Sequence, residues 1–166
     1  MTISMYSASA PVFDLHLSMM QGYLAKGATY ATDKKIDETV LTQMRLFPDM
    51  FPLSRQVQIA CDFAKGACAR LAGVEIPKYE DTEKTFADLQ ARCQKTRDFI
   101  ATLSAAQIDG SEGKKITLTI GGNPVEVIGQ PYLMNKVYPN FFFHSTTAYN
   151  LLRHAGVPVG KRDFVG

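Results

Sequence analysis

Tyr138-Pro139-Asn140-Phe141-Phe142-Phe143-His144-Ser145-Thr146-Thr147-Ala148-Tyr149-Asn150-Leu151-Leu152-Arg153-His154 is the stretch whose reading decides the fold. Pro139 suits the first turn of a helix, where the missing N–H has no intrahelical partner to lose. Ala155-Gly156-Val157-Pro158 is a stop, with glycine just past the end and proline beyond it. At about 100° per residue, Phe141, His144, Ala148, Leu151 and Leu152 share one face. A face this apolar must be buried against other elements. The segment is therefore expected to be a buried helix that carries an imidazole, His144, among apolar neighbours.

Upstream, after Asp109-Gly110-Ser111-Glu112-Gly113, the period changes to alternation. Ile116, Leu118 and Ile120 stand against Thr117 and Thr119, then Gly121-Gly122-Asn123-Pro124 leads to Val125-Glu126-Val127-Ile128. This is a β-hairpin over about 115–128. Two strands alone are marginal, so it is expected to rest on the helices, over one end of them. Gly129-Gln130-Pro131 and Tyr132-Leu133-Met134 then lead into the helix. Downstream, 157–166 reads as an extended tail with Phe164 and Val165 to dock.

Three further long helices precede the hairpin. From Ala8 to Ala31, Phe13, Leu17, Met20, Leu24 and Ala31 cluster on one side, with His16 at the edge of the arc beside Tyr23. A short helix from Asp37-Glu38 to Met44 and a turn over Phe47–Pro52 follow. Pro52 opens the second long helix, which runs to Gly73 on a stripe of mostly small residues: Leu53, Val57, Ala60, Ala64, Ala67, Cys68 and Leu71. Gln56 falls inside that stripe, with Arg55, Gln58 and Asp62 opposite. The third, capped at Asp81 or Thr82 and ending near Ser104, carries the seam Phe86, Leu89, Cys93, Thr96, Ile100 and Leu103. No repeat or boundary divides 1–166. The expected fold class is all-α: one domain, a four-helix bundle with a β-hairpin inserted before the last helix.

Composition narrows the function. Eighteen Lys and Arg against 16 Asp and Glu give a net charge of +2, which supplies no field to attract nucleic acid or an anionic membrane. No run approaches a membrane span, and no secretory signal is expected, since the first basic residue is Lys26 and Asp14 and His16 interrupt the early apolar stretch. The three cysteines are odd in number; Cys61 and Cys68 lie roughly 10 Å apart along one helix, too far to bridge. Reduced thiols in a cytoplasm are the expectation.

The candidate ligand-binding residues are His144, His16, Gln56, Tyr149 and Tyr23. His16 and His144 lie on apolar arcs of helices that would converge if they are neighbours. Gln56 is expected to bond one of the two imidazoles across the core, because buried polar groups must be paired. Tyr149 and Tyr23 would offer phenols at a pocket mouth. His154, in the last turn, is expected at the surface, favoured there by the helix dipole. The cysteines sit on close-packed seams without a basic neighbour and are expected to be inert. The Phe141-Phe142-Phe143 run points three ways, so one ring is left over; a homodimer would bury it.

Leu46-Phe47-Pro48-Asp49-Met50-Phe51-Pro52-Leu53, Gln56-Val57-Gln58, Ala69-Arg70-Leu71-Ala72-Gly73-Val74-Glu75, Pro139–Tyr149 and the closing Gly160-Lys161-Arg162-Asp163-Phe164 resemble a bacterial domain-of-unknown-function family allied to the DinB/YfiT-like bundles. The resemblance implies that four-helix-bundle fold. In the wider group it implies a divalent metal held by three histidines, two of them four residues apart on the last helix, and thiol-transferase or hydrolase-like activity. His144 matches the first of that pair. The fourth residue on is Ala148, which cannot ligate, and the second helix has no histidine. A zinc or nickel site wants three converging ligands, so no firmly held metal or other cofactor is expected; any metal would fall to His144 and His16. The expected function is binding of a small molecule in a partly polar interior pocket. The alternatives are a metal-dependent thiol transferase or hydrolase, and a structural or protein-interaction dimer without a pocket. Whether the chain is an enzyme is open on the sequence.

Overall fold

The computed structural model describes residues 3–166. Helix α1 spans Ala10–Lys34, with Pro11 in its first turn and Lys35 closing it in a left-handed conformation (φ 55°). Asp37 caps the short α2, Glu38–Thr42, its carboxylate accepting from the Thr39 N–H at 2.9 Å. Helix α3, Leu53–Ala72, starts after Pro52 and stops at Gly73, whose φ of 76° is the left-handed geometry that glycine adopts without a Cβ penalty. Helix α4 runs Phe86–Ala101, and a single turn, α5, covers Ala105–Ile108. Strands β1, Lys115–Ile120, and β2, Asn123–Ile128, pair antiparallel with Ile116 opposite Val127 and Leu118 opposite Val125. Gly121 and Gly122, both at positive φ, make the two-residue turn that fits the strand twist. Then come α6 (Gly129–Tyr132), a π-helical turn (Leu133–Val137), α7 (Tyr138–His154) and the one-turn α8 (Lys161–Val165).

Four long helices form the bundle: α1 packs on α4, α4 on α3, α3 on α7, and α7 returns to α1. The seams foreseen along α3 and α4 are buried throughout. The interior is tight where side chains vanish. At Gly27 a Cβ would lie within 3.0 Å of the Phe86 ring, so only glycine lets α1 approach α4 this closely. Phe13 meets Phe141 edge to face, centroids 5.0 Å apart, which ties α1 to α7.

Two local expectations are corrected and two are extended. The cap of α4 is Thr85, in a capping box with Asp88, because the acidic residues upstream serve another purpose: Asp81 and Glu83 reach back to Arg92. The 157–166 segment is not extended to its end. Asp163 accepts from the Gly160 N–H (2.8 Å) and pairs with Lys26 (2.6 Å), which closes the α8 turn and lays Phe164 on α1 and α7. Gln58, opposite the apolar stripe, is nonetheless buried, donating to Glu83 at 2.8 Å. Finally, Pro139 stands in the first turn of α7 as expected, but the helical path does not start there: it already begins at Gly129. A proline inside a helix removes an N–H and drives its ring at the carbonyl four residues back, and the π turn just before Pro139 is where the chain absorbs this.

Candidate functional site

His144 lies half-buried on α7 and Gln56 is buried in the first turns of α3. Their side chains meet: His144 Nδ1 is 2.7 Å from Gln56 Oε1. The other end of the amide is committed, since Gln56 Nε2 donates to the Phe51 carbonyl at 3.0 Å. Reversing the amide would set two oxygens against each other, so Oε1 must face the imidazole and Nδ1 must carry the proton. Nε2 is then the lone-pair nitrogen, without a partner among the described residues. Burial pulls the His144 pKa below its ordinary 6.5, and the nearby Arg55 guanidinium pulls the same way. Phe63 of α3 stacks on the ring (centroids 6.2 Å, planes 18° apart) and Phe143 meets it edge-on. The result is a neutral, oriented imidazole with one free acceptor nitrogen, able to accept a hydrogen bond or a proton.

The expected convergence of His16 with His144 is contradicted. His16 faces Phe142 at 5.0 Å between centroids, and its other ring neighbours are Phe141 and Phe164. Phe142 and His144 stand about 200° apart around α7, so the two imidazoles occupy different flanks of that helix. Burial lowers the His16 pKa, and the Phe164 backbone opposes the shift. Tyr23 is fully buried and its hydroxyl donates to the Ser145 carbonyl at 3.2 Å, so this phenol does not stand at a pocket mouth. Tyr149, half-buried, packs edge-on between Tyr23 and Phe164 and belongs to that aromatic cluster. His154 is exposed in the last turn of α7.

The donor set does not fit the three-histidine metal centre of the resemblance. Gln56 stands across from His144, Ala148 occupies the position one turn on, and no group of three or more His, Cys, Asp or Glu converges among the described residues. The thiols do not supply the missing donors. Cys61, Cys68 and Cys93 are buried, Cys61 and Cys93 contact each other at 3.8 Å, and burial pushes the Cys68 thiol up to about 12. We expect a thiol-specific disulfide reagent at pH 8 to label none of the three in the native protein and all of them after unfolding; rapid labelling of native protein would contradict this burial.

Phe63, which stacks on the imidazole, also lines a cavity of about 430 Å³ between the hairpin and α3; His144 itself does not line it. Leu118, Ile120 and Gly121 form its roof, and Asp62, Phe63, Arg70, Tyr132 and Lys136 its floor and walls. Arg70 donates to the Tyr132 hydroxyl at 3.1 Å.

The Domain of unknown function (DUF1993) family matches residues 5–165. The chain belongs to that family. It is also similar to a crystal structure of a DinB family member protein from Shewanella denitrificans at 1.83 Å resolution. The identity is 36%, the TM-score 0.88, and the match covers 97% of this chain and 91% of that one. The DUF1993 bundle is thus allied to the DinB-like superfamily, as its motifs imply. Comparison with curated proteins finds no match. No helix among the described residues is long and apolar enough to cross a membrane.

In this DUF1993 chain the residues around the cavity escaped the sequence reading, although a signal was there. Gln56, Phe63 and Arg70 recur every seven residues, two turns apart, and so line one stripe of α3 that points at α7 and the π turn. The two shifted histidines also set a pH response. A histidine whose folded pKa lies below its unfolded value contributes stability that is complete above 6.5 and is lost as pH falls through the lowered folded value. Thermal melts are expected to shift downward as pH drops below 6.5, by less in His144→Gln; a pH-independent difference between the two proteins would count against this.

Proposed function

We propose that this DUF1993 bundle binds a small molecule beside His144, in a partly polar pocket and without a firmly held metal. The observation that carries the proposal is the orientation of His144: Gln56 holds Nδ1–H and leaves Nε2 free at a half-buried position. A histidine needed only for packing would have both nitrogens paired or would give way to an apolar residue. The three unpaired thiols favour a reducing cytoplasm. Against a metal-dependent thiol transferase or hydrolase stands the lack, among the described residues, of partners for His144 as a ligand.

The test is a screen of polar small-molecule fragments followed on the His144 ring resonances. Ligands are expected to perturb them in the native protein and to lose affinity in His144→Ala. Failure of every fragment to perturb them would overturn the proposal. Elemental analysis of protein purified without chelator tests the rival: stoichiometric metal lost in His144→Ala would establish it instead. A homodimer remains a second proposal, favoured by Phe143, which is 55% exposed at the rim of the same site. Sedimentation should then give twice the chain mass, reduced to one chain by Phe143→Ser.

A further inference from the structure

We propose that the cavity between the hairpin and α3 is a binding site for a small organic anion, whose charged group is held by Arg70 and Lys136 and whose apolar body lies on Phe63 and under Leu118. Its volume of about 430 Å³ falls within the range of small-ligand sites. Arg70 and Lys136 line it, and neither pairs with a carboxylate among the described residues. The one acid on the wall, Asp62, is already engaged: its Oδ1 accepts from Arg92 at 2.9 Å and from Lys65 at 3.0 Å. The cavity therefore presents two cations that no carboxylate pairs among the described residues.

Three features surround these cations. Gly66 makes room for the guanidinium, because a Cβ there would lie 2.6 Å from Arg70 Nη1. The Tyr132 hydroxyl accepts from Arg70 and so keeps its own proton to donate; burial raises its pKa, which keeps that proton on. Lys136 sits in the π turn, whose carbonyl it lends to the Asn140 side-chain amide at 2.7 Å. Single π turns recur where a helix must re-aim a side chain at a functional site. Planar guanidinium, phenol and ammonium lining one pocket are the donors a carboxylate or phosphate takes, and the aromatic wall suits an apolar body.

This goes beyond the proposal for His144: it shares Phe63 with that site but its charged group rests on Arg70 and Lys136, so the charge dependence tested here can fail without the other. The test is calorimetric or shift-based titration of the full chain with phenylacetate, its neutral isostere phenylacetamide, and inorganic phosphate. Phenylacetate is expected to bind, phenylacetamide at least about tenfold more weakly, and Arg70→Gln or Lys136→Gln to weaken the acid by about tenfold each. Gly66→Ala keeps both charges and improves helix propensity; it is expected to weaken binding while the melting temperature holds or rises. His154→Ala, at the exposed end of α7 and outside the cavity lining, should leave phenylacetate affinity within about twofold. Binding by phosphate alone, lost in the same variants, would still support the charged subsite and assign its group. Equal affinity for acid and amide, no binding of either anion, or binding untouched by Lys136→Gln would overturn the proposal.

Discussion

Gly129→Ala is expected to destabilise the protein by about 3 kcal/mol, and to do so more than any other single methyl addition at a glycine of the chain. Gly129 joins β2 to the helical path. Its N–H donates to the Lys114 carbonyl at 2.9 Å, and the next N–H, of Gln130, donates to Glu112 at 3.0 Å. The backbones of 111–114 and 129–130 are thereby laced face to face. A Cβ on residue 129 would drive into the Ser111 carbonyl oxygen, far inside the 3.0 Å that real Cβ atoms keep, and its obstacle is backbone, not a side chain that can swing aside. Relief requires opening the lacing that sets the hairpin over the cavity. Urea titration checks this against Gly113→Ala, where a Cβ meets nothing within 4 Å and the change should stay within about 0.5 kcal/mol. Similar midpoints for the two variants would contradict the close approach.

The second large effect is expected at Arg92, whose side chain is only 1% exposed. Its guanidinium donates to Asp62 (2.9 Å), Glu83 (2.9 Å), Asp81 (3.2 Å) and the Glu80 carbonyl (3.1 Å), and stands over the Tyr79 ring. These bonds pin the 74–85 connection, which has no secondary structure of its own, across α3 and α4. Arg92→Ala removes the shared cation and leaves three carboxylates facing one another. Because Asp62 and Asp81 keep access to water, the loss is about 2–3 kcal/mol, below that of a fully buried pair. Arg92→Lys, which keeps the charge but not the fork, should fall between. Denaturant midpoints measure both, and proteolysis should cut the 74–85 connection first in the alanine variant. Stability unchanged in Arg92→Ala would sink this account of the connection.

What could be read in the sequence divides along a physical line. Helices with one unbroken apolar face, such as α4 with Phe86, Leu89, Cys93, Thr96, Ile100 and Leu103, declare themselves because periodicity depends only on the element itself. So does the hairpin, whose turn glycines have no other reason to be adjacent. Its setting was less visible: the hairpin covers the middle of α3 and walls a cavity, and that follows from the Gly129–Ser111 approach, a contact between segments. Pro139 told only part of the path for the same reason. As a local signal it marks a start, yet Tyr132, Leu133 and Val137 are buried before it and hold the chain helical through a π turn. Within the site, Gln56 stood out as a polar residue in an apolar stripe, and its meeting with His144 follows from that. The parting of His16 from His144 needed the order of helices around the bundle, which no single-helix pattern contains. Arg70 and Lys136 gave no sign because charged residues near helix ends are ordinary; only the lack of a paired carboxylate among the described residues, a fact of three dimensions, sets them apart.

The central claim is that His144 is a neutral imidazole with its proton on Nδ1 and its lone pair on Nε2. Long-range proton–nitrogen correlation of the histidine rings at pH 7, with His144 assigned by its absence in His144→Gln, measures this directly. The account predicts a protonated Nδ1 beside an unprotonated Nε2 at that ring, with the pattern lost in Gln56→Leu. A ring protonated on Nε2, or an imidazolium at neutral pH, would contradict it.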